Sequence, residues 1–381
     1  MRTTRHRTTW NRAWSRALTG TIGTGVVAAT LAIAPAGMAS ANDDQDADLA
    51  VTQTNLVSDQ MGHAPLVDPN LVNAWGMSFG TGATPTPLWV SDNGADVATL
   101  YRGATSPASF TKVPLTVSIP NGAPTGQVFN PSSTEFMVKS GPARFIFASE
   151  SGWITGFNPA AGTAMAEPAV HLRHAIYKGL ALASSNGADF LYGADFHSNK
   201  IRVFNTSFKL QHWAGAFEDK QLPKGYAPFN IQLLNGMLYV TYAKQDAAKV
   251  DDAKGPGRGF VDVYTTSGVL KQRLVKKGHL NSPWGLAIAP SSWGNLAGML
   301  LVGNFGDGHI NAYNPMTGRF LGQLRDADGR AIDIDGLWAL LPGNGVAATP
   351  DQVIFSAGPD DEAHGLVGVL DAKPMPDGDD G

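Results

Sequence analysis

The sequence predicts an all-β fold: one six-bladed β-propeller, its ring closed by the N-terminal strand joining the last blade. Three observations carry this. A single pattern recurs six times: an apolar segment opened by Gly or Trp, a turn, a strand ending in polar residues, a Gly turn, and a strand ending in an aromatic. The segments are short, rich in Val, Ile, Phe and Tyr, and bounded by Gly, Asn, Asp and Pro, which marks strands and turns and not helices. Copies average on the order of 50 residues, the period of four-stranded blades.

Residues 1–41 stand outside the repeat. Arg2, Arg5, Arg7, Arg12 and Arg16 precede an uncharged apolar stretch that ends at Ala39-Ser40-Ala41, a small-x-small cleavage pattern. Gly20, Gly23, Gly25 and Pro35 interrupt the stretch and no second hydrophobic span follows, so the expectation is a cleaved secretory signal and no membrane span. Residues 42–50 and 374–381 are acidic and poor in large apolar groups, and read as a disordered linker and tail around a propeller spanning 51–373.

The blades follow in order. The first holds AWGMSF (74–79), PLWVSDNG and VATLYRG; the second TGQVFN, RFIFASESG and WITGFNP; the third KGLALA, FLYGADFHSN and KIRVFN. The fourth holds PFNIQLL, MLYVTYAKQD and, after an insertion, GFVDVYTTSG; the fifth PWGLAIAP, MLLVGNFGDG and HINAYNPMTG; the sixth DGLWALL, QVIFSAGPD and HGLVGVLDA. An outer strand follows most triplets, as in SFTKVPLTVSI, AVHLR and VLKQRLV. The sixth copy lacks one, and VTQTNLVSD at the N-terminal end can supply it, which would hide the sheet edges of an open array.

Beyond residue 41 there are 23 basic and 32 acidic residues, net -9, which argues against a nucleic-acid partner and favours neutral or cationic ones. The absence of cysteine removes disulfides, thiolate metal sites and cysteine nucleophiles together.

In a propeller meander, the loop leading into the innermost strand and the loop joining the second and third strands lie on one face. The first set carries Asn73, Thr125, Lys178, Asn230, Asn281 and Asp335 to the channel mouth; the second carries Asp92, Asn93, Glu150, Asp195, His197, Gln245, Asp246, Asn304, Asp307, Glu362 and His364. The opposite loops, such as SSNGAD and GNGVAATPD, hold little ionisable chemistry, so function is expected at the charged mouth. Turn duty is the plainer reading of any single Asp or Asn there. Glu150, Lys178, His197 and His364 are not favoured turn residues. Trp75, Trp284 and Trp338 occupy equivalent places and read first as packing between blades, with an aromatic wall at the mouth as the second reading.

Several motifs fail. GMSFG (76–80) has the Gly-x-Ser-x-Gly spacing but aligns with innermost strands, where no nucleophile elbow forms. DADGRAIDIDG (326–336) has the Asp spacing of a calcium loop, yet its twelfth position is Leu337, leaving only a looser site. The insertion DAAKVDDAKGPGRG (246–259) is charged and Gly-rich: a disordered surface loop or a lid over the mouth.

The segments NLVNAWGMSF, LYGADFHSNKIRVFN, YAPFNIQ, LLVGNFGDGHINAYNPMTGRFLG and GPDDEAHGLVG resemble an uncharacterised family of secreted bacterial NHL-type six-bladed propellers, over nearly all of residues 51–372. That resemblance brings no activity with it. The architecture is also similar to the gluconolactonase and senescence-marker-protein class, where carboxylates and amides at the channel hold a divalent cation that activates lactone hydrolysis. Glu150, Asn230, Asn281 and Asp335 have chemistry suited to such a cation, calcium first, chosen by blade position and not by a shared motif.

Two functions compete. One is a secreted binding module for a small molecule, glycan or extracellular protein, monomeric, with Phe196, Trp153 and Phe305 as exposed aromatics around the mouth. The other is a metal-dependent lactonase or esterase, with Asp195, His197 or His364 as general base. The binding module is the reading preferred from sequence, because no complete catalytic motif is present.

Overall fold

The computed structural model describes residues 49–82, 85–103 and 109–372. The expected leader, the linker up to residue 48 and the tail 374–381 lie outside the described residues. Blade 1 consists of Ala74–Ser78, Leu88–Asp92, Val97–Arg102 and Thr111–Ser118. Blade 2 is Pro124–Phe129, Phe145–Ser149, Trp153–Phe157 and Glu167–His171; blade 3 is Tyr177–Ser185, Ala188–Asp195, Lys200–Asn205 and Leu210–Gln211. Blade 4 is Tyr226–Leu234, Met237–Lys244, Gly259–Tyr264 and Leu270–Lys276; blade 5 is Pro283–Ile288, Leu300–Asn304, Ile310–Tyr313 and Phe320–Gln323. Blade 6 has Leu337–Pro342, Gln352–Ala357 and Leu366–Ala372, its fourth strand is Val51–Ser58 from the other end of the described chain, and the short strand Leu66–Val67 pairs parallel beyond it.

The closing pair is antiparallel, Val51 opposite Ala372 and Ser58 opposite Leu366, so the hydrogen-bonding edge of the last blade is covered as the orphan N-terminal strand requires. The latch reaches further than expected. Leu49, inside the stretch read as linker, is 5% exposed and packs with Ile310 and Leu324 of the blade 5 region.

Each blade is buried on both faces by its neighbours, which is why the second strands read as continuous apolar runs and not as alternation. Leu88–Asp92, Phe145–Ser149 and Leu300–Asn304 are buried at every residue, while the outer strand Thr111–Ser118 is mostly half-buried or exposed. Between blades 1 and 2, Trp89 stacks on Phe145 with centroids 3.9 Å apart, a pairing that adds about 1 kcal/mol to its area burial.

One irregularity repeats in all six innermost strands. The register against the second strand slips by one residue between Ala74 and Met77, Pro124 and Gln127, Tyr177 and Gly179, Pro228 and Asn230, Pro283 and Gly285, and Leu337 and Leu340. A β-bulge re-aims the side chain it carries. The slipped segments carry Trp75, Thr125, Lys178, Phe229, Trp284 and Trp338. In four blades a glycine sits beside that residue, at 76, 126, 179 and 285, and a Cβ on each would collide with the innermost strand of a neighbouring blade. Glycine there allows six strands to crowd one axis.

Candidate functional site

The bulged side chains build a layer across the channel. Trp75 stacks on Trp338 at 3.5 Å between centroids, and Phe305 stacks on the same ring at 3.8 Å. Trp284 meets Trp338 edge-on at 6.0 Å, Phe229 lies 5.8 Å from it, and Phe196 lies 5.2 Å from Phe229. All six rings are at most 4% exposed. Phe196 and Phe305, expected as exposed loop aromatics, are therefore interior, and Trp153 is half-buried on His171.

Above the layer lies the charged mouth. Lys178, 2% exposed, places Nζ 2.5 Å from Glu150 Oε1, 2.9 Å from Asp251 Oδ1, and 5.1 Å from the centre of the Trp75 ring. Burial works against the ammonium, but the two carboxylates more than offset it and its pKa is raised. Asn93 Nδ2 donates to Glu150 Oε2 at 3.1 Å; Asn73 Nδ2 donates to Asn93 Oδ1 at 3.2 Å and to Glu362 Oε2 at 2.6 Å. Trp338 Nε1 donates to Asn73 Oδ1 at 2.8 Å, tying the rim to the aromatic layer. Burial, helped by the charges of Glu150 and Asp251 and opposed by Lys178 and Asn73, pushes Glu362 up to about 7.

Glu362 is presented by an unusual backbone. Asp360, Asp361 and Glu362 have φ of 56°, 53° and 68°, three successive left-handed residues without a glycine. Each such residue costs about 1–2 kcal/mol. Strain of this kind persists where surrounding contacts over-determine it, and Asp335 Oδ2 accepts from the Asp360 N–H at 2.8 Å.

The 246–259 insertion is a lid. It folds back through Asp246 N–H to Asp251 O at 2.8 Å and Ala253 N–H to Lys244 O at 2.7 Å. It reaches the mouth through Asp251 on Lys178, through Gly255 N–H on Asn281 Oδ1 at 2.6 Å, and through Lys254 Nζ 4.2 Å above the Phe305 ring.

Of the seven residues expected to hold a cation or act as general base, no two hydrogen-bond to each other. Asp195, fully buried, accepts from Arg202 Nε at 2.9 Å and from the N–H groups of Ser198 and Ile176, which is turn and ion-pair duty. His197 Nδ1 lies 3.1 Å from Lys249 O at the lid, and His364 Nδ1 lies 2.8 Å from Asp59 Oδ2, beside the closing strand. Asn230 donates to Trp284 O at 2.8 Å; Asn281 bonds Gly255 and Asp307; Asp335 bonds Asp360. Only Glu150 joins the Lys178 cluster. Among the described residues no group of three or more His, Asp or Glu side chains is arranged to hold a metal ion. In the 326–336 segment, Asp326 Oδ1 accepts from the N–H groups of Asp328 and Arg330, a turn. Ser78 of GMSFG lies on a strand and donates to Gln127 Oε1 at 3.0 Å.

Below the aromatic layer the channel reopens. A cavity of about 430 Å³ is lined by the innermost strands of all six blades, with Trp284 and Asn230 at its blind end and the partly exposed Phe79, Phe129, Leu233 and Leu341 at the other. It faces the loops joining first and second strands, the side opposite the charged mouth. Among the described residues no ionisable side chain lines it.

The chain is 32% identical over 330 residues to the uncharacterized protein R648 of Acanthamoeba polyphaga mimivirus, covering 83% of this chain and 78% of that one. It belongs to the same family. A second member, the uncharacterized protein L690 of the same virus, is 31% identical over 335 residues, covering 83% and 84% of the two chains. The chain matches no protein-family profile. Among solved structures, a Penicillium chrysogenum alpha-L-arabinanase complexed with arabinobiose superposes with a TM-score of 0.52 at 12% identity, over 85% of this chain and 99% of that one. A Bacteroides thetaiotaomicron protein of unknown function gives 0.51 at 11%, over 84% and 76%. These likenesses show the fold alone. A putative gluconolactonase gives 0.39 at 19%, over 66% and 78%, which lends nothing to the lactonase expectation.

Proposed function

We propose that this propeller is a non-catalytic binding module that takes a neutral, largely apolar small molecule into its central channel, through the face opposite the charged mouth. The observation that carries this reading is the 430 Å³ cavity itself, in the size range of small-molecule sites and walled by groups such as Met77, Val128, Leu180, Leu182, Ile231 and Leu340. Bond-breaking chemistry needs a nucleophile with a base, or an acid, within reach. The cavity offers only the hydroxyls of Ser78 and Thr81, and Ser78 already donates to Gln127. Gln127 Nε2 is in turn held by Gly76 O, Trp89 O and Ser91 Oγ. The Gln232 side chain, which makes no hydrogen bond to another described residue, remains to orient a polar end of the ligand.

The test is fluorescence titration with a neutral apolar probe, N-phenyl-1-naphthylamine, on the wild type and on Leu233→Glu. Leu233 is 40% exposed at the open end, so a carboxylate there is tolerated by the fold and opposes only an apolar guest. Saturable one-to-one binding with Kd below about 100 µM, weakened at least tenfold by the substitution, supports the reading. Absent or non-saturable binding, or equal affinity in the variant, overturns it.

A further inference from the structure

The mouth above the aromatic layer holds a second feature, independent of the channel. Its buried ammonium, Lys178, has one partner from the ring, Glu150, and one from the lid, Asp251, whose side chain is 65% exposed. Its aromatic floor is covered by a lid cation, Lys254 over Phe305. Trp75 Nε1, in a side chain 1% exposed, has no hydrogen-bond partner. The lid thus presents to the mouth a carboxylate on a fixed ammonium and an ammonium on an aromatic face.

We propose that the mouth is a binding site for a small molecule carrying both a carboxylate and an ammonium group, and that the 246–259 loop is its internal competitor. The ligand carboxylate takes the place of Asp251 on Lys178, and its ammonium takes the place of Lys254 on the aromatic layer, where a desolvated cation over a ring face is attracted by the ring quadrupole. Displacing the Asp251 side chain costs little, because it is 65% exposed and the ligand carboxylate restores the ion pair to Lys178. Glu362, largely neutral below pH 7, adds little repulsion toward an incoming carboxylate. Glu150 with Asp360 and Asp361 of the acidic turn makes the mouth negative, so a carboxylate without an ammonium is not accepted.

The experiment titrates ω-amino carboxylates from glycine to 6-aminohexanoate, with hexanoate and hexylamine as single-charge controls, following tryptophan fluorescence and heat. Proteins are the wild type, the double variant Asp251→Ala/Lys254→Ala and Lys178→Met. At least one ω-amino carboxylate is expected to bind saturably, to tighten by roughly five-fold in the double variant, the factor corresponding to about 1 kcal/mol, and to be lost in Lys178→Met. Both single-charge controls are expected to bind at least tenfold more weakly. Loss of ligand binding in Lys178→Met counts only if that variant keeps the wild-type thermal transition; the double variant leaves Lys178 intact and decides the matter alone if it does not. No saturable binding to the double variant, equal affinity for a single-charge control, or full binding by a folded Lys178→Met overturns the proposal.

Discussion

Replacing Glu362 by Gln changes one atom of the rim and tests the electrostatics of the mouth. Glu362 is half-buried, accepts from Asn73 Nδ2 at 2.6 Å, and has its carboxyl raised from 4.5 to about 7. Because the folded value lies above the unfolded one, its contribution to stability is full below about pH 4.5 and is lost as pH rises through 7. The gap, at 1.36 kcal/mol per pH unit, bounds the loss at about 3 kcal/mol, and partial solvent access reduces it to about 1–2 kcal/mol. Gln keeps an oxygen for Asn73 and removes the titration. Urea unfolding at pH 4.5, 6 and 8 is therefore expected to show the variant equal to the wild type at the lowest pH and about 1–2 kcal/mol more stable at the highest. A variant less stable by the same amount at every pH, or an unchanged wild-type slope, would refute the reasoning.

Three further outcomes follow from the same contacts. Gly126→Ala should destabilise by about 3 kcal/mol in urea unfolding, because its Cβ would collide with the backbone of Gly179 and Leu180, and an unchanged midpoint would show that the blades can move apart. Asp361→Gly should stabilise by about 0.5–1 kcal/mol in the same assay by relieving a left-handed conformation at φ 53°; destabilisation would mean that its side chain matters more than its backbone. Asp195→Ala should lose about 2–3 kcal/mol, since it strands Arg202 and two turn N–H groups, while leaving probe binding in the channel unchanged; altered probe affinity would count against a purely structural Asp195.

Blade order, ring closure and the shared face of the two loop sets were legible because they follow from periodicity and connectivity. Asn73 meeting Asn93 and Glu362, and Lys178 meeting Glu150, bear out the shared face. The residues that reach the axis were less legible, because a bulge shifts the side-chain alternation and leaves no mark in composition. The repeat pattern sets Asn73, Asn281 and Asp335 level with Lys178, whereas Trp75, Trp284 and Trp338 are its counterparts. The lid's use of Asp251 depends on a contact 73 residues away along the chain, beyond any local pattern. The cavity leaves no mark in the sequence for the opposite reason: ionisable groups mark one mouth only, and the open channel is walled by residues that strand periodicity counts as core.

As proposed above, the channel below the aromatic layer is an apolar binding cavity. The most direct measurement is a crystal structure of the chain under xenon pressure, since apolar cavities stay dry and bind xenon. Xenon seated between Trp284 and Leu233, with no ordered water on the Leu180 and Ile231 walls, is the predicted result. A continuous file of ordered water through the channel, with xenon absent, would contradict it.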